Sequence, residues 1–130
     1  YSNVYHKIGI DFGIVNSLDG YDEISLTGDF KVTTNKYERI FHPSDLGFDA
    51  TNPVNLCGGN TVDEAKEIFD SVLENRASAD RKNVVLANAA FGIQVVDQSL
   101  SIEEALDKAR ESLEGGRALA TFKKFVEINS

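Results

Sequence analysis

The chain has 130 residues, enough for one ordinary domain with a sizeable hydrophobic core. It carries 21 acidic against 13 basic side chains, for a formal net charge of −8, and the basic residues are scattered along the chain. Binding to nucleic acid or to an anionic membrane surface depends on clustered lysines and arginines, so we expect neither kind of partner.

The first 57 residues are predicted to form short strands. Asn35 and Lys36 separate two strand-like runs by only two residues, which predicts a β-hairpin with Lys36 at positive φ in a type I′ turn. The segment between Pro43 and Pro53 is predicted to be a loop with one helical turn. Runs of β-branched and aromatic residues bounded by turn formers predict strands at 12–15, 23–27, 30–34 and 37–42.

From residue 58 onward the sequence has helical periodicity. Thr61 followed by Glu64 is typical of a capping box, and the apolar positions after it predict a helix over 61–76. Residues 80–96 are apolar on nearly every side, which predicts a helix buried at the centre of the fold. Asn88 lies within that helix, where a buried amide must bond to a neighbouring carbonyl.

Two further helices follow. Ser101 and Glu104 repeat the capping box, and Gly115 is placed to end the helix that they begin. A last helix is predicted at 117–127. The sequence therefore predicts an α/β chain, α+β-like in layout, with short N-terminal strands and a hairpin followed by about four helices. We expect one domain over 1–130, strand-rich over 1–57 and helical over 58–130.

The loop over residues 17–29 is the clearest place for chemistry. It holds four acidic residues, among which Asp22 and Glu23 are adjacent, and Gly20 and Gly28 allow turns that bring both carboxylates toward one cation. Mg²⁺ prefers oxygen ligands and is often bound by one or two carboxylates together with water and substrate phosphates. On composition alone, acidic residues in such a loop are more often solvated or helix-capping than metal-binding.

Other candidate residues have structural explanations. His6 and His42 have no partners at metal-ligand spacing, so surface or structural positions are expected. Cys57 lacks a second cysteine and is expected to be a semi-buried thiol. Residues 58–59 are both glycine and precede a helix, where a turn explains them as well as an anion site does. A single cysteine excludes an internal disulfide and fits a cytoplasmic protein.

Five blocks of the sequence resemble, in order and spacing, the C-terminal portion of anthranilate phosphoribosyltransferase. The most specific is the run D-G-x-D-E-I-S, and the likeness extends from about Gly13 to the end of the chain. The blocks are SLDGYDEISLTGDFKV, YERIFHPSDLGF, LCGGNTVDEAKEIFDSVL, KNVVLANAAFGIQV and SIEEALDKARESLEGGRALATFKKFV.

The resemblance implies a part of the larger α/β domain shared by phosphoribosyltransferases and nucleoside phosphorylases. It implies transfer of phosphoribose from phosphoribosyl pyrophosphate to anthranilate, in tryptophan biosynthesis, with Mg²⁺ as cofactor. It also implies that Asp22 and Glu23 hold the Mg²⁺ bound to the pyrophosphate of the sugar donor. No other catalytic or cofactor-binding residue is assigned.

The chain departs from the family pattern in two ways. Asn16 and Ser17 stand where the family usually has His-Gly, and residues 1–12 hold no glycine-rich phosphate loop, anthranilate-contacting arginine or helical domain. With no methionine in the chain, we expect a fragment of a longer enzyme that is inactive alone and that self-associates or swaps elements to cover strand edges and apolar faces. The alternatives are a pyrimidine nucleoside phosphorylase-like fragment and a non-catalytic binding domain.

Overall fold

The computed structural model describes residues 1–130 and contains one antiparallel sheet and five α-helices. The sheet order is β1 (Gly13–Ser17), β2 (Phe30–Thr34), β3 (Glu38–Phe41). Two short 3₁₀ helices, Pro43–Leu46 and Pro53–Leu56, lie between the sheet and the main helices. The helices are α1 (Ser2–Ile8), α2 (Val62–Leu73), α3 (Ala79–Val96), α4 (Ile102–Glu114) and α5 (Arg117–Ile128). The predicted α/β class is confirmed.

Three of the four predicted strands are present, and the fourth is wrong. Residues 23–27 form part of the loop between β1 and β2, which pair directly with Val15 opposite Val32. Leu26 has φ of 58°, in the left-handed region that a strand excludes. Its side chain and that of Ile24 are fully buried, so burial in the core produced the strand-like apolar pattern.

The hairpin between β2 and β3 is confirmed, but the type I′ turn is wrong. Neither Asn35 nor Lys36 has positive φ. The Thr34 hydroxyl accepts hydrogen bonds from the amides of Lys36 and Tyr37, both at 3.1 Å, and the Thr34 amide donates to the Tyr37 carbonyl at 2.8 Å. A side-chain-supported turn therefore avoids the positive φ that lysine disfavours.

The predicted helix starts differ in how fully they are capped. At α4, the Ser101 hydroxyl accepts from the Glu104 amide and the Glu104 carboxylate accepts from the Ser101 amide, which completes the predicted box. At α2, the Thr61 hydroxyl accepts from the Glu64 amide, but the Glu64 carboxylate accepts from the Asn60 amide instead. The first helix, α1, was not predicted, because none of its residues is buried and it has no side-chain cap.

The core lies between the sheet and the α3–α4 pair. Phe30 and Phe41 stack at 5.6 Å between ring centroids, and Phe91 of α3 meets both rings edge-on at 5.8 and 5.2 Å. Leu86, Ala87 and Ala90 complete the buried side of α3. The predicted central position of this helix is therefore confirmed, but the predicted burial on nearly every side is wrong, since Val85 is 41% and Val96 88% exposed. None of the helices combines the length and hydrophobicity that crossing a bilayer requires.

The last helix is only loosely covered. No residue of α5 is buried, although its sequence has an apolar stripe. Phe122 meets Phe69 of α2 at 4.9 Å between ring centroids, whereas Phe125 is 62% exposed. The periodicity thus located the helix, but Phe125, Val126 and Ile128 are left exposed.

Candidate functional site

Asp22 and Glu23 lie in the loop that connects β1 to β2. Both residues are exposed. Neither carboxylate takes part in any of the eight ion pairs of the chain, and neither accepts a hydrogen bond from it. The structure therefore leaves both side chains free to bind something that is not part of this chain.

The loop begins with a tight turn. The Ser17 amide donates to the Tyr21 carbonyl at 3.0 Å, and the Gly20 amide donates to the Ser17 carbonyl at 3.3 Å. Gly20 has φ of 108°, a conformation that side chains rarely adopt, so this glycine is required by the turn. Gly28 has no positive φ, so only Gly20 uses the backbone conformation that glycine makes accessible. The turn places Asp22 at the start of the return segment, residues 22–29, which leads back to β2.

Buried hydroxyl groups support the return segment from the β1 side. Ser17, the last residue of β1, is 3% exposed and its Oγ donates to the Glu23 carbonyl at 2.8 Å. The same oxygen accepts from the Ser25 amide at 3.1 Å and lies 2.9 Å from the Ser25 hydroxyl. The Ser25 hydroxyl lies 2.7 Å from that of Thr27, which donates to the Asp19 carboxylate. Ser17, one of the two residues that differ from the usual family pattern, thus anchors the loop through its hydroxyl.

Asn88 supports the same segment from the opposite side. Its Oδ1 accepts from the Ile24 amide at 3.1 Å, and its Nδ2 donates to the Ile24 carbonyl at 2.7 Å. Nδ2 also donates to the Val84 carbonyl, one turn earlier on α3, at 2.9 Å. The predicted bond from Asn88 to a neighbouring carbonyl is confirmed. The sequence did not show that its partner is the residue beside the acid pair.

An open cleft of about 250 Å³ lies next to Glu23. Its polar lining comes from Tyr21, Glu23, Ser25 and Arg81, and α2 and α3 supply most of its apolar wall. Arg81 is held by Nε and Nη2, which donate to the carbonyls of Asn55 at 3.1 Å and Cys57 at 2.8 Å. The cleft is somewhat smaller than the roughly 300–1,000 Å³ typical of small-molecule sites.

The donor set fits a hard divalent cation that keeps most of its ligands from elsewhere. No three histidine, cysteine, aspartate or glutamate side chains of the chain come together in a group that could hold a metal ion. Two adjacent, unpaired carboxylates in an exposed loop supply only a partial oxygen shell. Mg²⁺ is commonly bound in this way, with waters and substrate phosphates as its remaining ligands.

The other candidates occupy structural positions. His42 Nδ1 lies 2.5 Å from the Asp29 carboxylate at the surface, and His6 meets the Phe12 ring edge-on at 5.1 Å. Cys57 is exposed, so the predicted semi-buried thiol is wrong, because the chain leaves the second 3₁₀ helix there along the surface. Gly59 has φ of 87°, which confirms a turn before α2.

The chain matches the family described as "Glycosyl transferase family, a/b domain" over residues 1–119. A curated relative, the anthranilate phosphoribosyltransferase of Phocaeicola vulgatus, is 56% identical over 130 residues. That alignment covers 100% of this chain and 39% of the relative. The chain thus spans well under half the length of the curated relative that it matches.

Solved structures have the same fold. An anthranilate phosphoribosyltransferase from Thermus thermophilus superposes with a TM-score of 0.85 at 22% identity, covering 97% of this chain and 38% of that one. The Saccharomyces cerevisiae enzyme in complex with PRPP and Mg gives a TM-score of 0.78 at 21% identity. That superposition covers 90% of this chain and 33% of the yeast chain. The yeast enzyme has also been solved with 4-fluoroanthranilate. At these identities the likeness concerns the fold.

Proposed function

The chain belongs to the glycosyl transferase family, a/b domain, and on that premise we propose that it is the part of an anthranilate phosphoribosyltransferase that supplies the cation ligands. The whole protein would transfer phosphoribose from phosphoribosyl pyrophosphate to anthranilate in tryptophan biosynthesis. The name of the relative at 56% identity supports this activity, and the complexes of the yeast enzyme support the two substrates. A cytoplasmic location goes with such a biosynthetic role.

The observation that carries the proposal is the free acid pair. Asp22 and Glu23 are adjacent, exposed and without partners, while the backbone that follows them is held by the side chains of Ser17 and Asn88. In this role both carboxylates would hold the Mg²⁺ that the sugar donor's diphosphate requires. When bound there, the cation stabilises the negative charge that develops on the departing pyrophosphate.

Charge stabilisation and positioning are the contributions that this part of the chain can make. Transfer to an aromatic amine breaks the bond between C1 of the ribose and the pyrophosphate oxygen. The catalytic demand is therefore for groups that hold the leaving group and the sugar in place, more than for a strong base. Two free carboxylates on a backbone held at residues 23–25 are suited to the first requirement. We propose that the 130-residue chain alone is inactive, since its acid pair and cleft supply a partial site.

The experiment that tests this function uses a chimera. This chain replaces the homologous 130-residue segment of the Phocaeicola vulgatus relative, and the product is assayed for formation of phosphoribosyl anthranilate as Mg²⁺ is varied. We expect an active enzyme in which Asp22→Asn and Glu23→Gln each lower kcat/KM by about 10²-fold and raise the Mg²⁺ concentration for half-saturation.

Asp49→Asn is the matched control, since Asp49 is an exposed loop acid far along the chain from the pair. This variant should leave kcat/KM and the half-saturating Mg²⁺ concentration unchanged. A folded chimera without turnover would contradict the proposed activity. Acid-pair variants with the Mg²⁺ dependence of the parent would contradict the assigned ligands.

A further inference from the structure

We propose that Ser17 and Asn88 are positioning residues that together fix the backbone carrying Asp22 and Glu23. The consequence for cation binding rests on the proposed function. The inference comes from the way in which four consecutive backbone groups of residues 23–25 find their hydrogen-bond partners.

The two residues bind both peptide units of this segment from opposite sides. In the unit joining Glu23 to Ile24, the carbonyl accepts from Ser17 Oγ at 2.8 Å and the N–H donates to Asn88 Oδ1 at 3.1 Å. In the unit joining Ile24 to Ser25, the carbonyl accepts from Asn88 Nδ2 at 2.7 Å and the N–H donates to Ser17 Oγ at 3.1 Å. Each peptide unit is therefore held at both of its polar atoms.

No backbone partner is available to this segment. None of these four groups takes part in a backbone–backbone hydrogen bond, because β1 and β2 pair with each other on either side of the loop. Ile24 and Ser25 are buried, with exposures of 0% and 2%. Buried peptide groups must find partners inside the protein, so the two side chains take the place of a neighbouring strand.

Asparagine is suited to this position because it presents an acceptor and a donor at the same time. Its second N–H is taken by the Val84 carbonyl on the same helix, which fixes the orientation of the amide. α3 is the central helix of the fold, and Ser17 ends β1 opposite Phe30. The backbone from Glu23 onward is thereby tied to the two elements that border the core beside it, α3 and the sheet.

The alternative is that these bonds only stabilise the fold. Gln94 offers a matched control on the same helix, because its side chain accepts from the Tyr37 hydroxyl at 2.7 Å and donates to the Leu100 carbonyl at 3.1 Å. It also joins α3 to other segments through two hydrogen bonds, but it does not touch the loop. A variant of Gln94 therefore measures what a loss of stability alone does.

The experiment uses the chimera with Asn88→Asp, Ser17→Ala or Gln94→Ala. Asn88→Asp keeps the shape and the acceptor but loses both donors, and Ser17→Ala loses every bond of the hydroxyl. Amide hydrogen exchange, followed by mass spectrometry, compares a peptide covering residues 18–29 with one covering α3. We expect exchange in the loop peptide to be about tenfold faster in the first two variants and unchanged in the third.

Mg²⁺ dependence is then measured on the same proteins. For Asn88→Asp and Ser17→Ala we expect the half-saturating Mg²⁺ concentration to rise at least tenfold, as is typical when groups that orient metal ligands are removed. We expect kcat at saturating Mg²⁺ to change little. Gln94→Ala should lower the midpoint of thermal unfolding without changing the half-saturating Mg²⁺ concentration.

Three results would overturn the inference. The first is hydrogen exchange in the loop peptide that is unchanged in both Asn88→Asp and Ser17→Ala. The second is a half-saturating Mg²⁺ concentration that these two variants leave unchanged although Asp22→Asn raises it. The third is an equal rise of that concentration in Gln94→Ala. If Asp22→Asn itself leaves the Mg²⁺ dependence unchanged, the proposed function fails, and the exchange measurement still decides whether the loop is held as described.

Discussion

Asp97, at the end of α3, shows how a single exposed side chain couples stability to pH. Its carboxylate accepts from the Ser99 hydroxyl at 2.6 Å and from the Ser99 amide at 3.2 Å. These bonds, the hydroxyl first, hold the pKa of Asp97 below its ordinary value of 3.8. Glu38 behaves in the same way, since Lys31 and then Thr33 lower the pKa of its carboxyl.

A lowered pKa in the folded state determines the direction of the pH effect. The contribution of Asp97 is fully present above its ordinary value of 3.8 and is lost as the pH falls through the lower value of the folded state. We therefore expect Asp97→Asn to reduce the loss of stability below pH 3.8 and to lower stability at neutral pH. Urea midpoints measured over the acid range test this. Parallel pH profiles for parent and variant would contradict it.

At the level of elements, the helix starts provide a direct comparison between two serines. Ser101 caps α4 through a reciprocal box, whereas Ser78 occupies the same position at α3 but its side chain caps nothing. We expect Ser101→Ala to lower the free energy of unfolding by about 1 kcal/mol and Ser78→Ala to change it by only a few tenths. Urea unfolding with an unchanged m-value measures both. Equal losses would show that the box contributes nothing specific to α4.

At the level of the whole molecule, the uncovered apolar surface favours self-association. The exposed side chains include Phe125 at 62% and Ile128 at 73% on α5, and Tyr1 at 91% at the N-terminus. The net charge of −8 opposes contact between copies, and salt screens that repulsion. We expect the sedimentation coefficient to rise with protein concentration and to rise further with added salt. A single monomeric species at high concentration in high salt would contradict this expectation.

The sequence by itself determined the elements that depend on neighbours along the chain. Caps and apolar periodicity located α2, α3, α4 and α5 to within a few residues, since these signals act within one or two turns. The hairpin and the exposed acid pair followed in the same way from short-range pattern. A resemblance carried mainly by one short motif assigned the metal role, which stays a prediction for Asp22 and Glu23.

Only the tertiary structure decided how the segment after the acid pair is held. Residues 23–27 have the local pattern of a strand, yet Ile24 is bound by Asn88, which lies 64 positions away in the sequence. The sequence indicated that Asn88 needed a partner, but not which one, and it gave Ser17 no role in holding this segment. Local propensity describes which conformations a segment favours, whereas buried peptide groups take whatever partners the assembled core brings within hydrogen-bonding distance.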